Sequence, residues 1–269
     1  MEEKDEKEFL ALLIEPIRAC ASYRPKFGQG SGAGISLKEF QALYRSDPFY
    51  SWYGLDHPMM YAAHKAAGGM TSIYRQIGIG GERLFRRVLQ DSLGLAPEQS
   101  TWSYTVKGPR KKEKTLYLDG RIDLAEVADR VKREKVADWI EAASADLGVA
   151  KPVRSSLMGT VFEVRQGYKS KDSKRQNADL ANASTAYTRA YLPCVVVLSN
   201  QIDADIVTRY RHERWVILTG TTAERSPLRS TYAFTEQVLG FDLAGFFQRN
   251  SRTLKHEVEQ VLHALLDAE

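Results

Sequence analysis

Two short apolar runs constrain the fold of this chain more than any other feature of its sequence. Residues 193–198 read Pro-Cys-Val-Val-Val-Leu, residues 215–219 read Trp-Val-Ile-Leu-Thr, and a helical pattern lies between them. Continuous apolar runs of this length are typical of strands buried on both faces, as in a parallel sheet whose two faces are covered by helices. We therefore predict an α/β protein with a mixed central sheet flanked by helices.

The other elements fit around this core. Apolar spacing predicts helices over residues 9–17 and 58–67, and Ser36 with Glu39 forms the pattern of a capping box. Glycine pairs at 68–69 and 80–81 predict helix breaks, the second followed by a helix that ends at Gly94. Strands are predicted at residues 101–106, 115–124 and 160–168, with further helices over 127–147 and 172–190 and two more at the end.

We expect a single domain over residues 1–269. It divides into a helical N-terminal region (1–79), an α/β core (80–220) and C-terminal helices (221–269).

Composition excludes several classes of protein. The 38 Lys and Arg against 34 Asp and Glu give a net charge of +4, far below that of a histone-like binder. The two cysteines, Cys20 and Cys194, are too far apart in sequence for a CxxC metal site. The acidic start is unlike a secretory signal, and the apolar runs are too short to span a membrane, so we expect a cytoplasmic protein.

The strand at 160–168 carries the charges that point to chemistry. Side chains alternate along a strand, so Glu163 and Arg165 share one face while Phe162 and Val164 share the other. Burying these charges on a central strand is costly without a metal, a partner or a ligand. Four cations follow at the start of the next helix, where they oppose the helix dipole unless a phosphate docks there; the alternative is a solvated basic face. They are Lys169, Lys171, Lys174 and Arg175.

Acidic residues on neighbouring elements are candidates to join Glu163. Asp119 and Asp123 share one face of the preceding strand, and two carboxylates from adjacent strands suit Mg²⁺. Asp119 precedes Gly120, and Asp-Gly is a turn dipeptide, so we prefer Asp123. Glu82 opens the helix after the glycine cluster, where it is either an ordinary dipole partner or an outer metal contact.

This constellation resembles the PD-(D/E)xK nuclease superfamily. Its members share an Asp on one strand, a Glu-x-basic motif on the next, a preceding helix carrying Glu and a following basic helix. The stretch that begins with Glu163 and reads EVRQGYKSKDSKRQNAD is similar to type II restriction endonucleases in particular. The resemblance covers residues 80 to 200.

The resemblance implies a Mg²⁺-dependent hydrolase that cuts double-stranded DNA at specific sites and acts as a homodimer in a prokaryotic cytoplasm. Asp123, Glu163 and Glu82 would hold the metal, and Arg165 and Lys169 would complete the catalytic set. Arg165 stands where the family has lysine, so Lys169 or Lys171 is an alternative for that role. The DNA-binding residues would be Lys171, Ser173, Lys174, Arg175, Gln176 and Asn177, within a segment extending to Asn182.

Three other functions remain open at this point. The first is a repair or mobile-element nuclease of the same fold. The second is a DNA-binding protein without catalysis, which would have no use for a pair of facing carboxylates. The third, more distant, is an α/β enzyme that does not act on DNA.

Overall fold

Helices and strands alternate through the centre of the chain. The structure is a computed structural model that describes residues 3–27, 34–107, 113–167 and 182–266. Its helices are α1 (Glu3–Arg18), α2 (Leu37–Ser46), α3 (Pro48–Trp52), α4 (Pro58–Leu93), α5 (Arg130–Asp146), α6 (Lys151–Arg154), α7 (182–188), α8 (Ala204–His212), α9 (Thr231–Gln237) and α10 (Leu243–Leu266). Its strands are β1 (Trp102–Lys107), β2 (Glu113–Leu118), β3 (Gly120–Asp123), β4 (Gly159–Arg165), β5 (Tyr191–Val197) and β6 (Val216–Leu218).

The strands form two sheets. β1 and β2 make an antiparallel hairpin, while the larger sheet has the order β3-β4-β5-β6. β3 runs antiparallel to β4, and β4, β5 and β6 run parallel to one another. The expected α/β class and mixed sheet are therefore confirmed, and the two apolar runs form β5 and β6.

The single strand expected over residues 115–124 is wrong. At Asp119 the chain passes from one sheet to the other, which we call the step: β2 before it completes the hairpin, and β3 after it joins the larger sheet. Leu118 on one side of the step is buried in the core under the hairpin. Gly120 on the other side pairs with Phe162 of β4.

Alternation along β4 divides its side chains between two apolar layers. Val161 lies on the face covered by the hairpin, α7 and α8, together with Val195 and Trp215. Phe162 lies on the other face, where its ring contacts Phe85 of α4 and Phe234 of α9 at centroid distances of 5.1 and 5.8 Å. Glu163 and Arg165 therefore share the Val161 face, as the strand pattern predicted.

The chain divides into two compact units, residues 81–248 and residues 1–80 with 249–269. The second unit is helical, and its core contains Ile17, Cys20, Ile73, Val261 and Leu265. The capping box at the start of α2 is confirmed: Glu39 N–H donates to the Ser36 hydroxyl, and Ser36 N–H donates to the Glu39 carboxylate.

The expected breaks at Gly68-Gly69 and Gly80-Gly81 are wrong, because α4 runs through both pairs. These glycines are positions of close packing within their own units. A Cβ on Gly69 would lie 2.5 Å from Leu265, and one on Gly81 would lie 2.5 Å from Leu198. The absent side chains thus let other elements approach the helix.

None of the helices in the described ranges is both long and apolar enough to cross a membrane.

The register of β3 on β4 depends on Gly159, and we expect Gly159→Ala to lower the free energy of unfolding by about 2–3 kcal/mol. The added methyl would overlap the backbone carbonyl oxygen of Ile122, which cannot move without breaking the strand pairing. Urea unfolding measures the loss. Gly167→Ala is the control, because a Cβ at this position would lie 3.4 Å from its nearest neighbour, which is an ordinary van der Waals contact. Equal stability of both variants and wild type would contradict this register.

Candidate functional site

Asp119 occupies the step between the two sheets and is bonded to both chain neighbours of Glu163. Its backbone N–H donates to the Phe162 carbonyl at 2.8 Å. Its carboxylate oxygen Oδ2 accepts from the Val164 N–H, also at 2.8 Å. Since Gly120 pairs with Phe162 in an antiparallel ladder, Asp119 stands opposite Glu163. The structure thus brings these two acidic residues together.

Arg86 of α4 fixes this step from the other face of the sheet. Its Nε donates to the Asp119 carbonyl at 2.8 Å. A Cβ on Gly120 would lie 3.1 Å from Leu89, one turn after Arg86, so helix and strand are in close contact here. Sequence reasoning missed Arg86. The available signal was its position four residues after Glu82 on one face of the helix.

Glu163 and Arg165 form a direct ion pair near the carboxyl end of β4. Their side chains are only 8% and 12% exposed, so both charges are almost removed from water. A buried charge is tolerated when an opposite charge or a metal compensates it. Arg165 therefore acts as the resident counter-charge of Glu163.

Asp123 lies at the opposite end of the β3–β4 ladder. It pairs with Gly159, four residues from Glu163. At ~3.3 Å per residue this separation is about 13 Å, too far for one ion to be held by both carboxylates. Its oxygens are also engaged: Oδ1 accepts from the Ala125 N–H at 3.0 Å, and Oδ2 accepts from the Tyr191 hydroxyl at 2.6 Å. On this geometry the preference for Asp123 over Asp119 is reversed, and Asp119 is the partner of Glu163.

Glu82 lies in the middle of α4 and not in a first helical turn, which corrects its assignment as a partner of a helix N-terminus. The helix covers the Phe162 face, whereas Glu163 lies on the other face. Glu82 follows Gly81, which packs on Leu198 immediately after β5. Its metal role stays a prediction. The position of α4 does not support it, because Glu82 and Glu163 belong to opposite faces of the sheet.

The predicted basic helix and lysines lie outside the described residues. This applies to Lys169, Lys171, Ser173, Lys174, Arg175, Gln176 and Asn177. Asn182, at the end of the predicted DNA-binding segment, is described: it is buried, and its side-chain oxygen accepts from the Tyr104 hydroxyl. Its predicted place along the DNA stays a prediction, and in this arrangement its side chain is engaged with Tyr104.

The carboxylates of Asp119 and Glu163 are the candidate ligands for a divalent cation. Mg²⁺ takes one or two carboxylates and completes its octahedron with water and substrate phosphate. Asp119 and Glu163 supply such a pair. One Asp119 oxygen accepts from the Val164 N–H, and one Glu163 oxygen is paired with Arg165. Within the described ranges, no group of three or more acidic, histidine or cysteine side chains is placed to hold an ion. The pair fits a water-rich Mg²⁺ site and not a closed protein cage.

Two surface cavities lie away from this pair. One, of about 420 Å³, is lined by residues that include Tyr187, His212 and Arg214. The other, of about 520 Å³, lies in the helical unit beside Tyr44 and Tyr50. Neither contains a carboxylate of the candidate site.

No protein-family model, curated protein or solved structure matches this chain. A function for the protein therefore rests on its own residues.

The hydrogen bond between Tyr191 and Asp123 makes a pH-dependent contribution to stability. Burial, and then the bond to the carboxylate, raise the pKa of Tyr191 from 10.0 to about 12. Because the folded-state pKa exceeds the unfolded one, the contribution is complete below pH 10 and is lost as pH rises towards 12. Wild type should therefore lose unfolding free energy above pH 10 faster than Tyr191→Phe, as measured by urea unfolding. Parallel pH profiles would contradict this assignment.

Proposed function

We propose that this protein is a Mg²⁺-dependent, sequence-specific double-stranded DNA endonuclease of the type II restriction class. The observation that carries the proposal is the position of Asp119, which is bonded to both chain neighbours of Glu163. The PD-(D/E)xK resemblance calls for an acidic residue beside the Glu-x-basic motif, and Asp119 stands opposite Glu163 immediately before the antiparallel strand β3. The alternation of helices and strands around a mixed sheet supports the same fold.

In this proposal Asp119 and Glu163 hold the metal. A bound Mg²⁺ would polarise the scissile phosphate and lower the pKa of the attacking water. The protein contributes rigidity: Asp119 is held by two strand hydrogen bonds and by Arg86. Positions fixed in this way need little reorganisation when charge develops in the transition state.

Arg165 sets this chain apart from the usual pattern. Arginine stays protonated, so Arg165 stabilises negative charge on phosphate and does not take a proton from water. In the present arrangement its guanidinium is bonded to Glu163. We propose that this charge turns to the scissile phosphate when a cation takes its place at Glu163. The proton acceptor then has to be water, the DNA or a residue such as Lys169.

The DNA contacts belong to the basic segments. Lys171, Lys174 and Arg175 suit phosphate or guanine, and Gln176 and Asn177 suit adenine edges. The basic sequence over residues 107–114, which contains Lys107, Arg110, Lys111, Lys112 and Lys114, is a second candidate for holding the phosphate backbone. If each copy supplies one site formed by Asp119 and Glu163, a homodimer is the simplest way to cut both strands of a duplex.

One observation favours a second candidate, a DNA-binding protein without catalysis. Both acids already have bonding partners, since Asp119 accepts from Val164 and Glu163 pairs with Arg165. The two carboxylates are therefore held in place by protein groups and do not need a cation for this. Metal-dependent cleavage separates this candidate from the proposed function, and discrete plasmid fragments in place of a smear separate a restriction enzyme from a repair nuclease.

Plasmid cleavage in Mg²⁺ is the test of the catalytic pair. We expect Glu163→Gln to lower the cleavage rate by at least about 100-fold, because an amide is a weak ligand for Mg²⁺ and leaves Arg165 without its counter-charge. DNA binding, measured by gel shift in EDTA, should be retained.

Asp119→Asn and Asp123→Asn are the matched pair of controls. Both change one carboxylate to an amide on the same strand region, but only Asp119 stands opposite Glu163. Asp119→Asn should therefore lose cleavage as Glu163→Gln does, and Asp123→Asn should keep it. Loss of activity in Asp123→Asn alone would show that the assigned pair is wrong.

A further inference from the structure

A cavity in the helical unit combines aromatic rings with a single charged side chain, and we call it the acidic pocket. It is the cavity of about 520 Å³ beside Tyr44 and Tyr50, and its wall also contains Phe27 and Asp47. All of its lining residues belong to one compact unit. Sites for small molecules have volumes of about 300–1,000 Å³, with a few polar groups that fix the orientation of the ligand. The acidic pocket therefore has the size of a small-molecule site.

Phe40 holds the ring walls of the pocket in place. It is fully buried, and its ring lies 5.1 Å from that of Phe27 and 4.3 Å from that of Tyr44 between centroids. Phe27 and Tyr44 are nearly perpendicular, with an interplanar angle of 77°, and Tyr50 stacks on Tyr44 at 5.0 Å. Because the rings hold one another, a ligand does not have to order them, which lowers the entropic cost of binding.

Asp47 supplies the charge of the pocket. Among the described residues, no lysine, arginine or histidine lines it. The Asp47 oxygen Oδ1 accepts from the backbone N–H groups of Phe49 and Tyr50 at 2.9 and 3.4 Å, which fixes the side chain. Within the same part of the chain, the other oxygen, Oδ2, accepts no hydrogen bond. The neighbouring Arg45 is paired with Asp56. Asp47 thus presents a fixed negative charge with one oxygen open to a donor.

The groups around Asp47 also favour a positive charge. Leu43, Tyr44 and Ser46 line the pocket from the last turn of α2, the end at which the helix dipole is negative. The Ser46 hydroxyl donates to the Leu43 carbonyl at 2.7 Å, so its oxygen can still accept from a ligand. Aromatic rings attract a cation that lies within about 6 Å of the ring centre. The carboxylate, the helix end and the rings therefore select for a cationic ligand.

We propose that the acidic pocket binds a small primary alkylammonium compound. An ammonium group has three N–H donors, which suit the oxygens of Asp47 and Ser46. Its alkyl chain suits the apolar side chains of Phe27 and Leu43 in the same wall. A divalent metal ion fits less well, because it takes several oxygen ligands and the pocket supplies one carboxylate. The proposal goes beyond the proposed function and depends neither on DNA nor on Mg²⁺.

Isothermal titration calorimetry of the full chain with butylammonium chloride, without DNA or divalent metal, tests the proposal. We expect saturable binding with a Kd of about 1 mM or tighter, an affinity within reach of so small a ligand. Two controls should give no saturable heat: sodium chloride at the same ionic strength, and n-butanol, which has the same chain without the charge. The absence of butylammonium binding, or equal binding of the alcohol, overturns the proposal.

Asp47→Asn removes the charge but keeps the cap of α3, because asparagine caps a helix about as well as aspartate. It should weaken butylammonium binding at least about tenfold, the effect of losing a hydrogen bond to a charged group. Asp129→Asn is the matched control, because Asp129 caps α5 in the other unit and its Oδ1 likewise accepts from two backbone N–H groups. It should bind as wild type does. Urea unfolding of both variants checks that the fold is retained.

Leu43 provides a measurement on the unaltered protein. In a sample with labelled leucine methyl groups, butylammonium should shift the NMR signals of Leu43 in the pocket wall and leave those of Leu116 on β2 unchanged. Shifts at Leu116 and not at Leu43 overturn the proposal. So does binding that survives Asp47→Asn or that is lost in Asp129→Asn. Because none of these measurements involves DNA, a protein that fails them and still cuts DNA leaves the proposed function intact.

Discussion

The step of the chain at Asp119 is the constraint on which the candidate site depends. Leu118 is anchored in the core beneath the hairpin, and Gly120 is pressed between Leu89 of α4 and Phe162 of β4. The residue between them has little freedom: its N–H and carboxylate are bonded to the backbone of β4, and its carbonyl accepts from Arg86 of α4. Asp119 is thereby fixed opposite Glu163 by packing on both sides of the sheet. The acidic pair is a consequence of how two sheets are joined.

The pair between Glu163 and Arg165 explains how a charged site persists inside the sheet. An ion removed from water loses several kcal/mol of hydration, and an adjacent opposite charge recovers part of this. Arginine suits the position because its guanidinium is less strongly hydrated than an ammonium and remains charged. With Asp119 opposite, the three side chains carry a formal charge of −1, which leaves a local attraction for a divalent cation.

Local sequence patterns predicted two kinds of element. These are elements stabilised by contacts between residues close in sequence, and strands that are buried on both faces. The apolar runs predicted β5 and β6, the Ser36–Glu39 pair predicted the start of α2, and residues 127–147 predicted α5 to within a few residues. Alternation also predicted that Glu163 and Arg165 share a face. Each of these inferences depends on one stretch of chain.

The failures all involve contacts with distant parts of the chain. Gly69 and Gly81 resemble helix breaks, but they are glycines because Leu265 and Leu198 pack against them. The sequence of residues 115–124 does not reveal that the chain changes sheets at Asp119, since this depends on the pairing with β4. For the same reason Asp123 was preferred: its bond to Tyr191, 68 positions later in the chain, cannot be inferred locally.

Direct titration of the DNA-free protein with Mn²⁺, a spectroscopic and calorimetric substitute for Mg²⁺, tests the central claim that Asp119 and Glu163 form one cation site. Wild type and Asp123→Asn should bind the ion with equal affinity, while Asp119→Asn and Glu163→Gln should each bind at least about tenfold more weakly, since each removes a carboxylate ligand. If Asp119→Asn binds as wild type does, or if wild type itself binds no ion, Asp119 and Glu163 are a structural pair and do not form a cation site.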